Sequence, residues 1–201
     1  MAEAMIPIEG AYPVQVDVAV PERIERWRPL VVWLLVIPHI VVLYVYGIAL
    51  FFVLIAGWFA ALFTGHLPDS LERFATGYLR YQWRVTAYLY GLSTVYPSFS
   101  LPSGDADPGN DAAVALFRRD ERLSRVRVFF RYFMILPHVL VLYVVSIAAS
   151  AVSIIAWFAV LFTGRWPSGM REFFVGYHRW YLRVYAFYFM ITDSYPPFSL
   201  T

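Results

Sequence analysis

The chain has no cysteine and no lysine. The first absence excludes disulfides, thiolate metal sites and thiol nucleophiles. The second makes all 16 basic residues arginine. A GC-rich codon bias gives that composition, and so does a use for planar guanidinium forks, which suit lipid phosphates and buried pairs better than ammonium groups do. Charge of either sign is scarce: 15% of residues are charged and 60% are hydrophobic, a balance foreign to soluble domains. Away from the helix starts, Asp193 is the acidic residue that the expected crossings offer, which leaves general acid and base chemistry almost without candidates. Gly-rich phosphate loops, G-x-S-x-G elbows and H-E-x-x-H motifs are missing as well.

What is abundant is apolar length. Two runs, Leu30 to Phe63 and Val128 to Phe162, each exceed the roughly 20 residues needed to cross a bilayer core. The start, "MAEAMIPIEGAYP", has neither a basic n-region nor an apolar h-region, so the long runs themselves are expected to direct insertion.

The chain is written twice. "IPHIVVLYV" at Ile37 returns as "LPHVLVLYV" at Leu136, "WFAALFTGHLP" at Trp58 as "WFAVLFTGRWP" at Trp157, and "VYPSFSL" at Val95 as "SYPPFSL" at Ser194, always 99 residues on (157 − 58). Each copy reads as a helical hairpin. Pro21, Glu22 and Glu25 open a first helix that enters the apolar run, and Pro38 or Pro137 can kink it. Phe-Thr-Gly and Pro68 or Pro167 make the turn. A second helix follows over about residues 69–95 and 168–194, stopped at Tyr-Pro because the residue before proline is pushed out of the helical region.

The predicted fold is therefore an all-α membrane protein of two tandem transmembrane hairpins, four crossings, with a short N-terminal β-strand. Val14, Val16, Val18 and Val20 alternate with Gln15 and Asp17 at the period of that strand, and copy two shows no obvious equivalent. The expected segments are an extended stretch at 1–21, a first hairpin at 22–101, a linker at 102–124 and a second hairpin at 125–201. The linker opens with Pro, Gly, Asp and Asn, a flexible composition, and its second half, alternating arginine with acid, reads as a solvated helix. The extended endings, with Phe99 and Phe198 as interface anchors, offer an edge on which the N-terminal strand could pair.

Arginine placement sets an expected orientation. Arg23, Arg26 and Arg28, and then Arg118, Arg119, Arg122, Arg125 and Arg127, flank the hairpins, whereas the turns have only Arg73, Arg165 and Arg171 nearby. The positive-inside rule then puts both termini and the linker in the cytoplasm, with the two hairpins as parallel repeats.

"WFAVLFTGRWPSGMREFFVGYHRWYLRV" followed by "TDSYPPFSL", with the matching pattern in copy one, resembles the DUF4389 family of bacterial membrane proteins over nearly the whole chain. The resemblance implies a membrane hairpin in the bacterial cytoplasmic membrane and supplies no reaction or cofactor. Copy one departs from it at Thr94, Val95 and Ser98, where copy two has Asp193, Ser194 and Pro197.

The candidate site residues are few. Arg80 and Arg84, and again Arg179 and Arg183, lie four apart on one face of each second helix, where like charges repel. Within a bilayer they need partners, by snorkelling to the headgroups, by a lipid phosphate held between helices, or by a carboxylate on a partner subunit. Gly77 and Gly176 near that face would let a neighbouring helix approach. His39 and His138 follow the helix prolines; in an antiparallel hairpin His138 falls opposite Asp193, giving either a polar pair able to act as a proton-linked switch or a histidine that fixes a kinked helix. Two such histidines without a ligand cluster do not make a metal site. The tryptophans near helix ends read as interface belts.

The expected function is a non-enzymatic membrane accessory or scaffolding subunit that packs against another membrane protein or a second copy, or organises phospholipid, anionic headgroups included. The alternative is a lipid-binding or transport protein that uses the four arginines as a headgroup clamp. Neither reading calls for a cofactor or for nucleic acid.

Overall fold

A computed structural model describes residues 12–101 and 113–201. The element order is β1 (Val14–Val18), α1 (Arg28–Thr64), α2 (Asp69–Leu89), β2 (Ala113–Phe117), α3 (Arg125–Thr163) and α4 (Ser168–Tyr188). The first half of the expected linker lies largely outside the described residues. Its second half holds a strand and irregular chain, not a solvated helix.

β2 is the strand that copy two was expected to lack. It stands 99 residues after β1 (113 − 14), so the repeat includes its strand, and the pattern was hidden because "AVALF" is apolar on both faces. The two strands pair antiparallel, with Val16 opposite Ala115 at the centre. These are homologous positions (115 − 16 = 99), so a pseudo-two-fold axis passes through the middle of the ribbon. The N-terminal strand therefore pairs with its own repeat and not with the extended endings. Each strand packs on the second helix of the other copy, β1 on α4 and β2 on α2, so the copies exchange their strands.

α1 and α3 are the two helices among the described residues that are long and apolar enough to cross a membrane. At 37 and 39 residues they run about 55–60 Å. Both continue through their prolines, Pro38 and Pro137. α1 begins later than Pro21, Glu22 and Glu25 suggested, at Arg28 with Pro29 in its first turn, where a missing N–H costs nothing. Gly65 and Gly164 end them in the left-handed conformation at φ 79° and 70°.

The expected crossings along the second helices are not of that kind. α2 and α4, 21 residues each, are amphipathic and largely buried, with α1 or α3 on one side and a strand on the other. They stop seven residues before Tyr96 and Tyr195 (96 − 89 and 195 − 188), well short of the proline signal. Leu92 N–H bonds Ala87 O at 2.8 Å and Gly91 N–H bonds Tyr88 O at 3.1 Å, a Schellman ending with Gly91 at φ 70°. Copy two repeats those bonds from Ile191 and Met190, placing a methionine at φ 62° where copy one has glycine.

The long helices are antiparallel to one another. Trp58 Nε1 near the end of α1 donates to Val128 O at the start of α3, at 3.1 Å, and Trp157 Nε1 near the end of α3 donates to Pro29 O, at 2.9 Å. Both ends of the pair are locked a second time by Leu123 N–H to Gly65 O at 2.8 Å and Ile24 N–H to Gly164 O at 2.9 Å. The parallel relation expected of the hairpins is thus replaced by a two-fold one.

The outer side of α1 and α3 is apolar along its length. Leu30, Leu34, Ile37, Val41, Ile48 and Phe59 on α1 are exposed, as are Phe133, Leu140, Ile147, Ile154 and Phe158 on α3. Such spacing by threes and fours makes a stripe on each helix, and the two stripes form an exposed face far beyond the few hundred Å² usual on a soluble monomer.

Candidate functional site

The four candidate arginines, Arg80 and Arg84 of α2 and Arg179 and Arg183 of α4, are turned into the protein. Arg80 is fully buried, its Nε donating to Ala115 O at 2.9 Å, and its guanidinium lies 5.6 Å from the Phe117 ring. Arg179 makes the matching reach, to Val16 O at 3.4 Å from Nη2, and also donates from Nη1 to Leu200 O at 3.2 Å. Each arginine therefore grips the central residue of the opposite copy's strand. Arg183 donates to Thr201 O at 2.5 Å and stands 5.4 Å from the Tyr12 ring, while Tyr12 donates its hydroxyl to Ser194 O at 2.8 Å. Arg84 is buried on the same face. Gly77 and Gly176 do permit a close approach, but by the chain's own ending: an added Cβ would meet Leu101 Cβ at 3.1 Å or Leu200 O at 2.6 Å.

His39 and His138 sit in matching aromatic boxes, both fully buried. His39 Nδ1 pairs with Tyr81 OH at 2.6 Å, and its ring stacks on Phe99 at 4.2 Å. His138 Nδ1 accepts from Trp180 Nε1 at 3.2 Å, which fixes its tautomer, and its ring stacks on Phe198 at 3.9 Å. In both the Nε2 has no hydrogen-bond partner among the described residues. Tyr96 and Tyr195 donate back to Leu35 O and Met134 O, at 3.3 and 3.1 Å, so the extended endings fold over the histidines. Phe99 and Phe198 act here as lids on the histidines while remaining half exposed.

His138 and Asp193 do not form a polar pair. The Asp193 carboxylate instead accepts from Arg131 Nη2 at 2.8 Å, Arg127 Nη1 at 3.2 Å and Ser124 N–H at 3.2 Å. Arg131 is buried to 1% exposure, donates also to Phe187 O and Thr192 O, and lies 4.3 Å from the Phe187 ring. Asp120 closes the cluster, taking bonds from Thr192 Oγ1 and Asp193 N–H at 2.9 and 2.6 Å. The cluster ties the end of copy two to the segment before α3. Arg131 escaped sequence reading because it lies in an apolar run; the signal was comparison of the copies, since position 32 is valine and position 94 threonine where copy two has Arg131 and Asp193.

His178 was also missed. It faces the seam between α2 and α4, packed on Phe174, Trp83 and Tyr90, with Nδ1 at 3.0 Å from Phe174 O. Burial pushes its imidazole down to about 4. Across the same seam Gln82 Nε2 donates to Tyr181 OH at 3.1 Å, another meeting of homologous positions on the pseudo-two-fold axis.

No group of three or more His, Asp or Glu side chains among the described residues is placed to hold a metal ion. The buried polar groups just described act chiefly on the chain's own backbone and rings, an arrangement that holds structure.

A family model described as a domain of unknown function, DUF4389, matches residues 27–100 and 125–199. No curated protein and no solved structure matches the chain.

Proposed function

The chain belongs to the DUF4389 family, carrying its domain twice, and we propose that it is a non-enzymatic component of the bacterial cytoplasmic membrane whose α1 and α3 lie flat in the inner leaflet. There it serves as an accessory or scaffolding subunit that organises lipid beside a partner membrane protein.

The carrying observation is an apolar outer face with arginines at both of its ends. Arg23, Arg26 and Arg165 line one cleft where α1 begins and α3 ends. At the opposite end Arg119 bridges to Asp69, and Arg125 approaches Gly65. An antiparallel pair that crossed the bilayer would carry one arginine cluster to each side, against the positive-inside rule. A pair lying in the plane keeps both clusters on the cytoplasmic surface, where each arginine attracts anionic headgroups by about 1 kcal/mol.

Two further features favour this placement. Helices of about 55–60 Å far exceed a hydrocarbon core of about 30 Å, but lie at any length within an interface. The exposed Asp17 belongs to the ribbon, on the far side of α2 and α4 from the apolar face, and stays in water. The expected cytoplasmic termini and linker are kept by this reading; the four crossings are not. The headgroup clamp loses its hands, since Arg80, Arg179 and Arg183 already bond the chain's own carbonyls.

Homologous positions His66 and Arg165 provide the test, because both are exposed and they lie at opposite ends of the helix pair. In this cysteine-free chain each is replaced singly by cysteine and challenged with an impermeant thiol reagent on intact spheroplasts. Neither should label until the membrane is permeabilised. Labelling of one alone would mean a crossing pair, and labelling of both would restore the four-crossing arrangement.

A further inference from the structure

We propose that a tyrosine-lined cleft between α3 and α4 binds an uncharged lipid whose head carries hydrogen-bond-accepting carbonyl oxygens. The inference rests on α3 lying against lipid, as proposed above.

The cleft has a volume of about 560 Å³, within the usual range of small-molecule sites. Tyr132 and Tyr143 of α3 face Tyr177, Tyr181, Tyr185 and Tyr188 of α4 across it. On α4 the spacing of four, four and three keeps these rings on one helical face. The remaining wall is aliphatic apart from Ser146, and no charged residue lines the cleft. A charged headgroup would enter without a counter-ion, at the cost of its hydration.

Four of the phenols are free to donate. Tyr181 is engaged by Gln82, whereas the hydroxyls of Tyr132, Tyr143, Tyr177 and Tyr188 make no hydrogen bond among the described residues. Hydrocarbon offers a phenol no acceptor, so a carbonyl-bearing ligand is favoured over a bare acyl chain. Leu136, Val139 and Tyr143 line the cleft and are also exposed on the apolar face, giving a route by which a chain dissolved in the leaflet enters sideways.

The fold does not require these tyrosines. Copy one builds the same hairpin with Gln82, Thr86 and Leu89 at the positions of Tyr181, Tyr185 and Tyr188. Copy two therefore carries three phenols on one face of α4 where copy one has none, rings that pack partly buried against the core while bringing hydroxyls to the cleft.

The full chain in phosphatidylcholine nanodiscs is titrated with two radiolabelled probes, decylubiquinone and dioleoylglycerol, against empty discs. Saturable uptake of either, near one per chain, is the expected result, and which probe saturates names the head. Substituting copy-one residues, Tyr185→Thr with Tyr188→Leu, should weaken uptake at least tenfold while helicity is unchanged. Tyr132→Phe with Tyr188→Phe keeps the rings and removes two donors, and should weaken it several-fold. Uptake of both probes in simple proportion to lipid, unchanged affinity in both variants, or closure of the cleft by a second copy shown by crosslinking would overturn the site. A chain that passes the cysteine test yet binds neither probe defeats this inference alone; one that fails the cysteine test defeats the placement on which it rests.

Discussion

Asp193→Thr should be the most damaging single change in copy two, and its repair is already present in copy one. Arg131 is 1% exposed, and its Nη2 lies 2.8 Å from the Asp193 carboxylate. Removing that carboxylate strands a buried guanidinium, which costs about 3–5 kcal/mol. Arg131→Val instead leaves Asp193 its bonds to Arg127 and Ser124, and mainly deprives Phe187 O and Thr192 O of a donor. That loss is worth about 1–3 kcal/mol. The double variant Arg131→Val with Asp193→Thr reproduces positions 32 and 94 of copy one, where valine and threonine serve in the same architecture. Its cost should fall to about 1–2 kcal/mol, the residue of an imperfectly filled space. The cycle therefore predicts a favourable coupling of roughly 2–3 kcal/mol or more. Equilibrium unfolding in mild detergent, followed by circular dichroism, measures all four corners. Costs that simply add, with the double variant as unstable as the sum of the singles, would refute the assignment of Arg131 and Asp193 as a pair.

Two further outcomes follow from the interior. His178 titrates at about 4 in the folded chain against an ordinary value of 6.5, so the unfolded chain binds the extra proton first; the stability it confers is complete above about pH 6.5 and is lost as pH falls toward 4. The loss amounts to roughly 3 kcal/mol at most, and His178→Leu, the residue copy one has at position 79, should flatten that share of a melting-temperature profile between pH 7 and pH 4. Gly176→Ala drives a Cβ to 2.6 Å from Leu200 O and should displace the ending that Arg179 and Arg183 hold, costing about 1–3 kcal/mol and speeding carboxypeptidase trimming. Gly77→Ala, which meets the Leu101 side chain at 3.1 Å, should be milder, and equal effects at the two glycines would refute the backbone contact.

The sequence by itself determined the duplication, the family, the two long apolar helices, the turns at Gly65 and Gly164, and the strand at Val14–Val18, because each is carried by neighbours in the chain: a fixed offset, a run of apolar residues, a glycine after a helix, an alternation of period two. Gly91 was an equally local signal for the end of α2, overshadowed by the more familiar Tyr-Pro. Tertiary structure decided the rest. β2 is buried at every position, so its apolar run carries no period, and only pairing with β1 makes it a strand. Whether Arg80 and Arg179 meet lipid or carbonyl depends on where the other copy's strand lies, about 35 residues away in one case and 163 in the other, distances that no local pattern spans. The same holds for Asp193, drawn to Arg131 instead of His138 because the end of copy two folds back across the start of α3. Most of all, the antiparallel setting of α1 and α3 came from a two-fold axis through Val16 and Ala115, and a symmetry between distant segments is fixed by packing, where the sequence records only that the segments are alike.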